Sequence, residues 1–195
     1  MGKVKYILQI REFFKQSPVV DINSLKKFIL KKDKRYIYYI INSLLKKKEI
    51  KRITKGYYSI HGDPSLIVFC FKPAYLGLQD ALSIHNLWEQ ETNPVVLTTS
   101  NVRTGVRTVF GRNAVFRRIK PEYLFGFDYI NSGDFYFPYS DIEKTLIDMV
   151  VFKQPLDKET IREFKKKIDK KKLKEYLKRY SKIIRKRVEN IAGIK

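Results

Sequence analysis

The stretch Asp33 to Ile60, DKRYIYYIINSLLKKKEIKRITKGYYSI, leaves few choices of fold. Asp33 is placed to cap a helix, because its carboxylate can accept a backbone N–H of the first turn. The spacing predicts a helix to about Lys48, with Ile37, Ile40, Ile41, Leu44 and Leu45 on one face. The opposite face then carries Lys34, Arg35, Tyr38, Tyr39, Asn42 and Lys46. Two short runs follow, Ile50–Thr54 and Tyr57–Ile60, joined at Lys55–Gly56. Glycine supplies the positive φ that such a tight hairpin needs.

Two more helices are expected upstream. Val4, Ile7, Leu8, Ile10, Phe13 and Phe14 fall near helical spacing between Lys3 and Lys15, and Ser17–Pro18 ends that segment. Asp21 or Asn23 can cap a second helix from Ser24 to Leu30, with Leu25, Phe28 and Ile29 turned inward. The order helix, helix, helix, hairpin is that of a winged helix-turn-helix. Such a domain offers Arg35, Tyr38, Tyr39 and Asn42 to a DNA groove, and Lys51, Arg52 and Lys55 to phosphates. Three amphipathic helices can also pack for stability alone; the hairpin placed directly after the third favours the DNA-binding reading.

The charge is unevenly spread. Residues 1–62 carry 16 Lys/Arg against 4 Asp/Glu, residues 63–152 carry 8 against 10, and residues 153–195 carry 17 against 6. Two basic ends therefore flank a nearly neutral middle, which fits a globular body with two polyanion-facing segments. A solvated lysine-rich surface is the alternative, and for the C-terminal end the two readings weigh equally. A chain of 195 residues suits two domains, expected at 1–62 and 63–195. The fold class expected is α+β: a winged helix-turn-helix, then a mixed α/β domain ending in lysine-rich helices over about 155–191. Cys70 is the single cysteine and lies in an apolar run, so it reads as a buried side chain, without a disulfide. A reducing, cytoplasmic setting is expected, with neither a signal peptide nor an apolar run long enough to span a membrane.

In the middle of the chain Leu66–Phe71 reads as a buried strand. The segment from Pro73, PAYLGLQDALSIHNLWEQ, reads as a helix lined by Leu76, Ala81, Leu82, Ile84 and Leu87. Val95–Thr99, Val106–Phe110, Ala114–Ile119, Phe125–Ile130 and Phe135–Tyr139 read as strands. Arg103, Arg107, Arg112, Arg117 and Arg118 concentrate among them. They are either ordinary outward-facing residues or a surface for an acidic partner or nucleic acid, with Thr98, Thr99, Ser100, Asn101 and Thr104 tipping the balance to the second. Lys158–Ile168 and Lys170–Asn190 complete the expected helices, with Asp169 a cap for the second.

Catalytic patterns are sparse. His85 has no partner at metal-ligand spacing, and there is no Gly-rich phosphate loop, no Ser/His/Asp setting and no zinc spacing, so no cofactor or metal is expected. Asp141, Glu143 and Lys144 resemble the acid-plus-lysine set of a metal-dependent nuclease. Ser140 with Glu143 also spells a capping box at a helix start, which accounts for both without a metal. The capping box is the stronger reading, and Lys144 and Asp148 are placed to pair at i,i+4.

Taken together, the winged-helix segment, AYLGLQDALSIHNLWEQ followed by PVVLTTS, the arginine-rich GVRTVFGRNAVFRRI, and SDIEKTLIDMV resemble the AbiEi family of antitoxins. These belong to type IV toxin–antitoxin (abortive infection) systems, and the resemblance covers roughly residues 5–150. It implies an N-terminal domain that binds double-stranded DNA upstream of its own gene and represses the operon through inverted repeats. It also implies a C-terminal domain that counters a nucleotidyltransferase-like toxin encoded beside it. The positions carried over are Arg35, Tyr38, Tyr39, Asn42, Lys51, Arg52 and Lys55; the helices after Gln154 lie outside the resemblance. A stand-alone winged-helix regulator is the alternative, and a metal-dependent nuclease a weaker one.

Overall fold

Apolar spacing in the first part of the chain becomes three helices and a small sheet. A computed structural model describes residues 2–28 and 34–194, with side chains for 6–27 and 35–194. It divides into two compact units, Met1–Cys70 with Thr108–Arg112, and Phe71–Arg107 with Asn113–Lys195. The architecture is mixed α+β with helices at both ends.

In the first unit α1 spans Gly2–Gln16, β1 Val20–Asp21, α2 Ile22–Phe28, α3 Lys34–Lys46, β2 Lys51–Thr54 and β3 Tyr57–Ser59. Ile37, Ile40, Ile41 and Leu44 of α3 are buried as the i, i+3, i+4, i+7 spacing requires, against Ile10 and Phe14 of α1 and Leu25 of α2. The expected cap Asp33 and the residues Ile29 and Leu30 lie outside the described residues. Asp21 does cap α2: its Oδ1 accepts the N–H of Asn23 (2.9 Å) and of Ser24 (3.1 Å), and Ser24 Oγ donates to its Oδ2. The strands pair antiparallel in the order β1-β3-β2. Gly56 takes φ 84° in the β2–β3 turn, where its carbonyl accepts the Ile22 N–H at 2.9 Å. Arg11 of α1 grips Glu49, just after α3, through two hydrogen bonds of 2.7 and 2.8 Å.

Burial alone would raise the Asp21 carboxyl, but the hydrogen bonds from Ser24 and Asn23 outweigh it and hold it below its ordinary value of 3.8. A lowered folded-state pKa contributes stability above the unfolded value and loses it as pH falls. Asp21→Ala is therefore expected to lower stability by about 1 kcal/mol at neutral pH. In thermal melts the gap to the parent should close as pH drops below about 3.8. A gap that persists in acid would mean the carboxylate is not the source.

The run expected as a strand at Leu66–Phe71 is instead a 3₁₀ segment, Pro64–Cys70. Asp63 starts it: its Oδ1 accepts the Ser65 N–H (2.8 Å) and its carbonyl the Leu66 N–H (3.2 Å). Leu66, Ile67, Val68 and Cys70 are still buried, so the apolar signal was real while its periodicity was ambiguous. Burial pushes the Cys70 thiol up to about 12.

The second unit is built on a six-stranded mixed sheet in the order β6-β7-β5-β4-β9-β8. The strands are β4 Ala74–Leu76, β5 Val95–Thr98, β6 Gly105–Val109, β7 Arg112–Arg118, β8 Phe127–Ser132 and β9 Phe135–Ser140. The long helix expected from Pro73 is broken up. Its first apolar residues pair as β4, Leu78 turns the chain at φ 57°, and only α4, Gln79–Ile84, is helical. Four helices follow: α5 Ile142–Val151, α6 Lys158–Lys167, α7 Lys170–Leu177 and α8 Lys182–Ala192. Tyr75, Leu146, Ile147, Met149, Phe164, Leu173, Leu177 and Val188 share one core. The single helix expected over Lys170–Asn190 is two. Tyr180 stacks on Tyr123 (ring centroids 4.5 Å apart) and Ser181 caps α8 by accepting the Ile184 N–H, so packing stops α7 where propensity alone would continue it.

Candidate nucleic-acid interface

With Ile37, Ile40, Ile41 and Leu44 turned to the core, a turn of about 100° per residue carries Arg35, Tyr38, Tyr39, Asn42 and Lys46 outward, and all five are exposed. Tyr38 and Tyr39 are 47 % and 69 % exposed. Lys34 is the first residue of α3, and its side chain lies outside the described residues. On the hairpin Lys51, Arg52 and Lys55 are exposed.

The structure brings part of this set together. Tyr38 and Asn42 of α3, Arg52, Lys55 and Tyr57 of the hairpin, and Asn23 and Lys26 of α2 line one surface cleft of about 570 Å³. Lys26 Nζ sits 5.4 Å from the Tyr38 ring centroid, a cation–π distance that links α3 to α2. Arg52 Nε donates to the Thr54 carbonyl (3.3 Å). Burial raises the Tyr57 hydroxyl above its ordinary value. Arg35, Tyr39, Lys46 and Lys51 lie outside this cleft; Lys51 runs back against Gly62, where a Cβ would meet its ammonium at 2.7 Å. Asn23, Lys26 and Tyr57 were missed in the sequence. Their signal was weak: polar positions of a short helix, and the first residue after a turn glycine.

The arginines of the second half do not form one row. Arg107 lies over the Phe116 and Phe71 rings (4.5 and 5.1 Å) and donates to the Arg103 carbonyl at 2.9 Å. Arg118 donates to Asn101 Oδ1 at 3.0 Å. Along β7, Arg118 shares the side of Ala114 and Phe116, whereas Arg117, paired in register with Leu97, takes the other. Arg103 and Arg112 are exposed.

A second concentration of charge lies inside the second unit, at the start of α5. The expected capping box does not form. Asp141, not Ser140, caps α5 by accepting the Lys144 N–H (2.8 Å); Ser140 Oγ bonds Thr145 Oγ1 (2.8 Å). Glu143 turns toward α7 and accepts the Asp169 N–H at 2.8 Å. Asp169 in turn caps α7, as expected. The other Asp141 oxygen accepts from the Tyr176 hydroxyl (2.8 Å) and pairs with Lys172 (3.0 Å), which also reaches Glu143 (3.4 Å). Lys144, fully buried, pairs with Asp148, whose other oxygen accepts from the Tyr75 hydroxyl at 2.7 Å. Burial pulls the Lys144 ammonium below its ordinary value and pushes the Asp148 carboxyl above its own, each opposed by the other. Burial would lower Lys172 as well, but Asp141 and Glu143 outweigh it and raise it. Tyr176 is pushed up to about 12 by burial and by the hydrogen bond to Asp141.

These residues tie α5 to α7 and to β4, with both carboxylates of the nuclease-like set engaged in that packing. Among the described residues no group of three His, Cys, Asp or Glu side chains is placed to hold a metal ion. His85 Nε2 donates to the Ser140 carbonyl at 2.6 Å, a role the sequence did not reveal. Among the described residues no helix is long and apolar enough to cross a membrane. No protein-family model matches the chain, and no curated protein matches it.

Proposed function

We propose that the chain is a sequence-specific double-stranded-DNA-binding regulator whose first unit works as a winged helix-turn-helix. In this reading α3 enters the major groove with Tyr38, Tyr39 and Asn42 toward base edges, and Arg52 and Lys55 hold flanking phosphates. One observation carries it: Tyr38, Asn42, Arg52, Lys55 and Lys26, from three elements, converge on one cleft of a unit rich in lysine. Asn is suited to bidentate contact with adenine, and basic side chains to backbone positioning, which supports this reading of the cleft.

The resemblance to AbiEi antitoxins extends the proposal. The regulator is then a cytoplasmic autorepressor of a type IV toxin–antitoxin operon, and its second unit counters a nucleotidyltransferase-like toxin. Support for that extension is the ordered likeness of segments between residues 5 and 150, Leu78–Leu87 and Glu143–Asp148 above all. The neighbouring gene separates an antitoxin from a lone regulator: a nucleotidyltransferase-fold reading frame beside this one favours the first.

Asn42→Ala is the direct test. Affinity for the DNA upstream of the gene is expected to fall by about 1–3 kcal/mol, with affinity for random duplex nearly unchanged. An equal loss on both duplexes would reduce Asn42 to a backbone contact, and no loss on either would remove α3 from the interface.

A further inference from the structure

We infer, on the premise that α3 enters the major groove, that the base pairs it reads are A·T: Asn42 takes an adenine, and the Tyr38 ring takes the methyl group of a nearby thymine. Among the described residues, Tyr38 and Asn42 are the side chains that α3 brings to the cleft. They stand one helical turn apart, about 6 Å along the axis, so the pairs they reach are no more than about two steps apart. Both are exposed, and the Asn42 carboxamide makes no side-chain hydrogen bond to another described residue.

The chemistry of the cleft selects against G·C. Guanine shows the major groove two acceptors, which call for Arg or Lys, and cytosine shows a donor, which calls for a carboxylate. Neither kind reaches the cleft from α3, since Arg35 and Lys46 lie outside it. The cations that line it come from elsewhere. Lys26 of α2 sits over the Tyr38 ring, and Arg52 and Lys55 belong to the hairpin, with Arg52 Nε donating to the Thr54 carbonyl. The carboxylate in the lining is Asp21, and both its oxygens are engaged by Asn23 and Ser24.

What α3 does offer is a carboxamide and a phenol ring. A carboxamide carries a donor and an acceptor side by side, the complement of adenine N7 and N6–H₂. The Tyr38 hydroxyl can meet a purine N7, but adenine and guanine share that acceptor, so it cannot tell them apart. The ring can discriminate, because the C5 methyl group is found on thymine alone. With the Lys26 ammonium over the ring and 47 % of the residue still exposed, apolar ring surface remains open to a methyl group.

The test uses the full chain. The parent and its Asn42→Ala, Tyr38→Ala and Tyr38→Phe variants each select sites from a pool of random-sequence duplexes at about 150 mM salt. The parent is expected to enrich an A·T pair whose preference Asn42→Ala loses. A second A·T pair should lie close by, its preference lost in Tyr38→Ala and kept in Tyr38→Phe. Within the selected site, 7-deazaadenine at the first position removes the N7 acceptor and should weaken parent binding by about fivefold or more. Uracil for thymine at the second removes one methyl group and should weaken it about fourfold. The alanine variant matched to each position should not respond to the modified base there. These two arms use the unaltered protein, so a poorly folded variant does not decide the result. A G·C pair at either variant-sensitive position, or parent binding unmoved by both modified bases, overturns the A·T assignment and leaves base reading by α3 standing. A pool with no enriched site overturns both.

Discussion

Lys144→Met should lower the stability of the chain by about 3–5 kcal/mol, because it leaves the Asp148 carboxylate buried with only the Tyr75 hydroxyl as partner. The cost arises from the orphaned charge rather than from the lost attraction. Replacing both members, Lys144→Met with Asp148→Leu, should therefore recover most of it. Burial already holds the Asp148 carboxyl above its ordinary value of 3.8, and without Lys144 opposing it that rise grows. A raised folded-state pKa means the fold binds the proton more tightly, so the deficit of Lys144→Met should shrink as pH falls from 7 toward the unfolded aspartate value. Chemical denaturation of the two variants across pH measures this directly. A double variant no better than the single one would show that the lysine matters for shape and not for charge.

The next largest effect is expected at Asp141→Ala. One carboxylate caps α5, receives the Tyr176 hydroxyl and pairs with Lys172, so three contacts are lost together. The cap and the charge-assisted bonds together suggest a loss of about 2–4 kcal/mol. Because two of the three contacts come from α7, amide exchange over Lys170–Leu177 should quicken more than over α8. Uniform exchange across both helices would show that Asp141 does not anchor α7.

Local periodicity made much of this molecule legible. Ile37, Ile40, Ile41 and Leu44 announced α3 and its buried side, and Gly56 announced the hairpin, because one face and one turn decide each. Asp169 was readable as a cap, and Lys144 with Asp148 as a pair, since both depend on spacing within one helix. The misreadings share a cause: the deciding partner is distant in sequence. Glu143 fits a capping box by spacing, but the Asp169 N–H and Lys172 draw it to α7. Lys170–Asn190 has continuous helical pattern, yet Tyr123 and Ser181 divide it. Leu66–Phe71 is as apolar as a strand, yet Asp63 winds it into a 3₁₀ turn. The candidate site divided the same way. Tyr38, Asn42, Arg52 and Lys55 followed from pattern, whereas Asn23, Lys26 and Tyr57 joined the cleft only through packing.

The most direct measurement is the affinity of the full chain for the DNA upstream of its own gene against random duplex of equal length, at about 150 mM salt and again lower. The expected result is a preference for the upstream sequence that survives at the higher salt and is lost in a Tyr38→Ala, Asn42→Ala variant. Equal binding to both duplexes, falling together as salt rises, would contradict sequence recognition by α3.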